Sequence, residues 1–162
     1  MVSSKHPQLE STQNSSLYEQ DFYLWIENTV NQLKTGQLLE VDWGNLIEEI
    51  ESMGRSEKQA LESNLIIVLL HLLKYKYQPE QRSNSWLSSI YEHRRRLRKA
   101  LKSSPSLKPY YTEVFEECYQ DARQEAALET GLTLEVFPLV CPSTPEATLD
   151  SDFLPDSINE FI

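Results

Sequence analysis

Asn64-Leu65-Ile66-Ile67-Val68-Leu69-Leu70-His71-Leu72-Leu73-Lys74 is the stretch whose reading decides the fold. Its unbroken apolar run, Leu65 to Leu70, has six residues, against the ~20 that a helix needs to span a bilayer. No membrane partner is expected from it. With Leu61, these apolar positions point nearly all round a helix predicted from about Ser56 to Tyr77, which Pro79 ends. A helix at a protein surface keeps a polar face, so one that is apolar on every side belongs at the centre of a bundle.

The flanking segments supply what would pack around such a rod. Upstream, Phe22, Trp25, Ile26, Thr29, Val30 and Leu33 recur at helical spacing and predict a helix from about Leu17 to Lys34 that buries this face. Ser16 with Glu19 has the form of a capping box, and Gly36 suits a left-handed stop. A shorter helix is predicted from Asp42, its N-cap, to Met53, with Leu46, Ile47, Ile50 and Met53 inward and Glu48, Glu49 and Glu51 outward or sideways. Gly54 is expected to end it, and a second capping box, Ser56 with Gln59, to open the rod. Downstream, a fourth helix spans about Ser85 to Lys102, where the stripe Leu87, Ile90, Leu97, Leu101 places Arg94 at a position due an apolar residue. A fifth runs from about Leu107 to Thr130, with Leu107, Tyr111, Val114, Cys118, Ala122 and Ala126 inward, and Gly131 ends it.

Beyond Leu132 the prolines 138, 142, 145 and 155 stand too close together for a long helix. Val136, Phe137, Leu139, Phe153 and Leu154 are the anchors of a tail that wraps the bundle, with one short turn capped by Thr144 and running to Leu149. No segment alternates as a strand would. The expected fold is therefore all-α: a single helical bundle of about five main helices around a central apolar helix, with an irregular Pro-rich C-terminal wrap. Residues 1–16 are expected to be poorly ordered, 17–155 to form one helical domain, and 156–162 to be a tail.

The 162 residues are 40% hydrophobic and 25% charged, the balance of an ordinary globular domain that needs neither disulfides nor a structural metal to fold. Two cysteines, Cys118 and Cys141, lack zinc spacing, and Met1 to Ser16 lacks the charged start and apolar stretch of a secretory signal. A reduced, cytoplasmic setting is expected.

Charge is segregated along the chain. The net charge is -10 overall but +8 over residues 74–108, against -2 over 1–39, -5 over 40–73 and -11 from 109 onward. The basic excess peaks in Arg95, Arg96, Arg98, Lys99 and Lys102 of the fourth helix, among Tyr75, Tyr77, Trp86, Tyr91, Tyr110 and Tyr111. Cations with interleaved aromatic rings are the ingredients of a nucleic-acid surface. The acidic remainder repels phosphate at range, and within a bundle the basic helix has acidic neighbours to pair with, so nucleic acid is not the favoured partner.

Chemistry is thinly represented. Di-metal bundles need Glu-x-x-His on two helices, and no such spacing occurs among His6, His71 and His93. His71 in the rod, approached by Glu48, Glu49 and Glu51, is the best metal candidate, yet a lone histidine there is commonly a hydrogen-bonded core residue. The four glycines are isolated, so no phosphate loop exists, and no nucleophile has an evident base. No catalytic residue, metal or cofactor is assigned. The favoured reading is a non-enzymatic protein-interaction or regulatory module, with a nucleic-acid-binding adaptor second and a metal-carboxylate enzyme third; self-association is open.

The segments Leu17-Tyr18-Glu19-Gln20-Asp21-Phe22-Tyr23, Asn45-Leu46-Ile47-Glu48-Glu49-Ile50-Glu51-Ser52-Met53-Gly54 and Leu70-His71-Leu72-Leu73-Lys74 have a familiar order and spacing. So do Tyr77-Gln78-Pro79-Glu80, Ser85-Trp86, Ser104-Pro105-Ser106-Leu107, Phe137-Pro138 through Cys141-Pro142, and Phe153-Leu154-Pro155. Together they resemble the bacterial family catalogued as domain of unknown function 29, abundant in cyanobacteria, over about Leu17 to Pro155. The resemblance implies a compact, mostly helical cytoplasmic protein and transfers no catalytic residue. Its polar motif positions, Glu48, Glu49, Glu51, His71, Lys74, Trp86 and Arg94, fall on or beside the expected helix contacts, as a site or as an internal polar network. A buried guanidinium keeps its charge and needs an anionic partner, so Arg94 is expected to contact Glu48 or Glu49.

Overall fold

Asp21, not Ser16, sets the start of the first long helix. The computed structural model describes residues 16–155; the expected N-terminal segment 1–16, apart from Ser16, and the tail 156–162 lie outside the described residues. A single turn, α1 (Leu17–Gln20), precedes α2 (Phe22–Thr35). Ser16 makes no side-chain cap, whereas the Asp21 carboxylate accepts from the Leu24 amide at 3.0 Å. An aspartate in non-helical backbone captures a free amide of the first turn, and that capture divides the run predicted as one helix. Gly36 closes α2 with φ of 73°, the left-handed conformation that favours glycine.

The two helices expected over 42–53 and 56–77 are one: α3 (Trp43–Tyr77), 35 residues long. Asp42 caps it as expected, accepting from the Asn45 amide at 3.3 Å. Gly54 lies inside the helix with no atom within 4 Å of where a Cβ would stand. A helical glycine costs about 1 kcal/mol relative to alanine but does not by itself stop a helix. Gly54→Ala is therefore expected to stabilise the chain by ~0.5 to 1 kcal/mol in urea denaturation; destabilisation would mean that the helix breaks there.

By packing, the chain divides into two compact units, Met1–Ser52 and Met53–Ile162, with the division falling inside α3. The described part of the first unit fully buries only Trp25, Val41 and Thr29. Tyr18 stands edge-on to Phe22 and Trp25, which stack on each other at 5.7 Å.

In the second unit, the C-terminal stretch of α3 is the rod that its composition promised. Leu61, Leu65, Val68, Leu69, Leu70, Leu72 and Leu73 are buried against Ile90, Leu97 and Leu101 of α4 (Asn84–Ser103) and Val114, Phe115, Cys118, Tyr119, Ala122 and Ala126 of α5 (Lys108–Thr130). Ser83 caps α4 through the Trp86 amide, and Gly131, with φ of 70°, ends α5. Among the described residues every regular element is helical, and the long helices number four where about five were expected.

The C-terminal segment is strapped to α4 and α5 by side-chain donors. Tyr119 donates to the Pro138 carbonyl at 2.6 Å, Arg123 to the carbonyls of Phe137 and Leu134 at 3.0 and 3.1 Å, and Gln120 to that of Leu139 at 2.7 Å. Tyr111 donates to the Pro145 carbonyl at 2.9 Å, at the start of α6 (Pro145–Leu149), which Thr144 caps. Phe137, 1% exposed, plants its ring edge-on against Tyr77.

Candidate functional site

Helical spacing builds an apolar face on α2 and another on the first turns of α3, and the first unit leaves both open. Phe22, Ile26, Val30 and Leu33 form a stripe along α2, beside the edge that buries Trp25 and Thr29, and all four are exposed. Trp43, Ile47 and Ile50 share one face of α3, with Ile47 53% and Ile50 60% exposed. The sequence pattern turns the four α2 positions, Ile47, Ile50 and Met53 inward, yet all are exposed, Met53 included. Periodicity identifies a face that favours being covered; it does not say what covers it.

The stripe on α3 has an acidic rim. Glu40, Asp42, Glu48, Glu49 and Glu51 are the charged residues between Gly36 and Gly54, with no lysine or arginine among them. The Tyr18 hydroxyl donates to the Glu49 carboxylate, which with burial and the nearby acids raises the phenol above its ordinary value. Asp42 is held below the carboxylate range chiefly by the Asn45 side-chain amide, at 2.7 Å.

In the second unit Arg94 is 2% exposed, on the seam where the pattern placed it. Its partner differs from the expected carboxylate of Glu48 or Glu49: the Arg94 Nε donates to the Thr148 carbonyl at 2.8 Å. Burial lowers its affinity for a proton, and the charge of Asp150 offsets this in part. A backbone carbonyl 54 residues away leaves no trace in side-chain periodicity, which is why a carboxylate was the natural expectation.

The other polar motif residues are parcelled among different contacts. Lys74 reaches from α3 to Glu129 on α5 at 2.6 Å while its ammonium lies over the Trp86 ring of α4 at 4.8 Å, tying three helices. His71 faces its own helix, with Nδ1 2.9 Å from the Ile67 carbonyl. Nearby, His93 Nδ1 lies 2.7 Å from Asn64 Oδ1, and its pKa is lowered by burial first, then by Arg96 and His71. Among the described residues no three of His, Cys, Asp and Glu gather to hold a metal, and His71 draws in no carboxylate cluster.

On the basic face of α4, Arg95 and Arg96 both clasp Glu92, at 2.9 Å each, and hold its carboxyl down at about 2. Arg98, Lys99 and Lys102 stand exposed. Both cysteines are free; burial pushes the Cys118 thiol up to about 12, which makes it a poor nucleophile.

Sequence reasoning passed over Arg123, although a signal existed: it is the one basic residue against twelve acidic ones from Pro109 onward. An isolated cation in so acidic a stretch has a specific task, here two wrap carbonyls.

No helix among the described residues is long and apolar enough to cross a membrane. No curated protein and no solved structure matches the chain. The family model for Domain of unknown function DUF29 matches residues 17–154, from the first described turn to the last apolar anchor of the wrap. The chain belongs to the DUF29 family.

Proposed function

We propose that the protein is a non-enzymatic protein-interaction module of the cytosol whose docking surface comprises the exposed apolar face of α2 and the acid-rimmed apolar face at the start of α3. The occupant is an amphipathic helix of another protein, apolar on one face and flanked by lysine and arginine. The observation that carries this reading is the imbalance of the first unit, whose described residues fully bury three side chains and leave the apolar faces of α2 and early α3 exposed. Each such side chain gains ~1.5 to 3 kcal/mol when fully removed from water. Charge selects the occupant. A two-fold copy of the same patch would set acid against acid, while a basic-flanked helix meets the rim with opposite charge. The α4 face is a weaker footing for nucleic acid, since Arg95 and Arg96 are committed to Glu92 and Trp86 lies under Lys74.

A photo-cross-linker placed at position 47 in the native host tests this, with position 128 on α5, more solvent-facing still, as control. Position 47 is expected to give an adduct of discrete mass whose peptide is apolar with lysine or arginine flanks, and Ile47→Glu with Ile50→Glu to abolish recovery of that partner while helix content stays unchanged. Adducts to a second copy, to nucleic acid, or equally from both positions overturn the proposal, as does no adduct at all.

A further inference from the structure

Arg94 lines a cavity of about 80 Å³ between α4 and the turn that follows α6, walled by Leu87, Ile90, Tyr91 and Leu154 and completed by Arg98 and Ser151. This is several times the ~10 to 15 Å³ that one water needs by the same measure. The guanidinium carries five donors in a fixed fork and cannot shed its proton. One donor, Nε, is satisfied by a neutral carbonyl; Nη2 is buried and finds no acceptor among the described residues. Asp150 is the acid whose charge Arg94 feels, but its Oδ1 accepts from the Asp152 amide at 2.9 Å, which fixes it in the turn. The Phe153 ring, its centroid 6.0 Å from Cζ, is a second neutral neighbour, and a buried cation whose partners are all neutral is strongly destabilised unless an anion completes its shell.

We infer that this cavity binds a small organic carboxylate, with the anion on Arg94 and Arg98, the Ser151 hydroxyl as a further donor, and a short hydrocarbon tail against Leu87, Ile90 and Leu154. The planar fork of arginine matches the two oxygens of a carboxylate. Two cations and one hydroxyl among four largely apolar walls leave the additional oxygens of phosphate without donors, and desolvating them is costly. The site lies wholly in the second unit and is independent of the docking stripe.

Thermal unfolding of the full chain in sodium butyrate and sodium acetate, against sodium chloride and sodium phosphate at matched ionic strength, tests the inference. Butyrate is expected to raise Tm saturably and more than acetate, as a ligand of the folded state does, with phosphate no different from chloride. Arg98→Gln changes an exposed residue and leaves Arg94 in place, so the variant folds; its apparent affinity for butyrate is expected to fall by about tenfold. Three results overturn the site: no shift beyond chloride at ~100 mM butyrate, a larger shift with phosphate, or an undiminished shift in Arg98→Gln. Failure here leaves the cross-link at position 47 untouched, so the two proposals stand or fall separately.

Discussion

Leu65→Ala is expected to lower stability by about 3 to 5 kcal/mol. Leu65 has no exposed surface and sits in the α3 rod with Val68 and Leu69, where α4 and α5 close over it. Truncation removes the transfer free energy of the lost methyl groups and leaves a void that packed neighbours fill only in part. Leu128→Ala is the control: 83% exposed on α5, it should change stability by less than ~0.5 kcal/mol. Urea denaturation followed by circular dichroism should show a lower midpoint with an unchanged slope for Leu65→Ala. A loss under ~1 kcal/mol would show that the rod is not the centre of the second unit.

Phe137→Ala is expected to cost about as much, ~3 to 5 kcal/mol, although Phe137 lies in no regular element. Its ring is buried against Tyr77, and its carbonyl is the one that Arg123 Nε holds at 3.0 Å. Emptying that pocket removes the anchor around which the neighbouring carbonyls are presented, so the cavity and the weakened strap act together. Leu139, two residues on and 71% exposed, sets the contrast: Leu139→Ala should be nearly neutral in the same measurement. Equal effects at the two positions would mean that the wrap is held by its backbone alone.

What was legible in the sequence was whatever local chemistry decides. Gly36 and Gly131 end helices because positive φ is cheap only for glycine, and Thr144 caps its turn because a hydroxyl before Pro145 has a free amide to accept from. The rod and the buried position of Arg94 followed from periodicity and the irregular tail from proline spacing, but two of the tail's expected anchors, Val136 and Leu139, are 40% and 71% exposed. Three features escaped for physical reasons. Gly54 and the Ser56/Gln59 motif read as a boundary, yet a glycine penalty near 1 kcal/mol does not interrupt a helix of 35 residues. Asp21 outcompeted Ser16 as a cap through one side-chain bond. The partners of Arg94 and Arg123 are backbone carbonyls, of Thr148 in the short α6 and of Phe137 before it, and every residue type has a carbonyl, so composition cannot point to them. The apolar faces of α2 and early α3 were legible as faces and silent about their cover.

The strap of the C-terminal segment has a consequence for isotope labelling. Its carbonyls at Phe137, Pro138 and Leu139 are engaged by Arg123, Tyr119 and Gln120, while among the described residues the amides of Leu139, Val140 and Cys141 donate to nothing. Deuterium uptake reads the amide, not the carbonyl. These positions should therefore take up deuterium within the first time point, as an unfolded chain would, while a protease that must lift the backbone off α5 cuts them slowly. In a segment gripped by its oxygens, rapid exchange and firm attachment coexist.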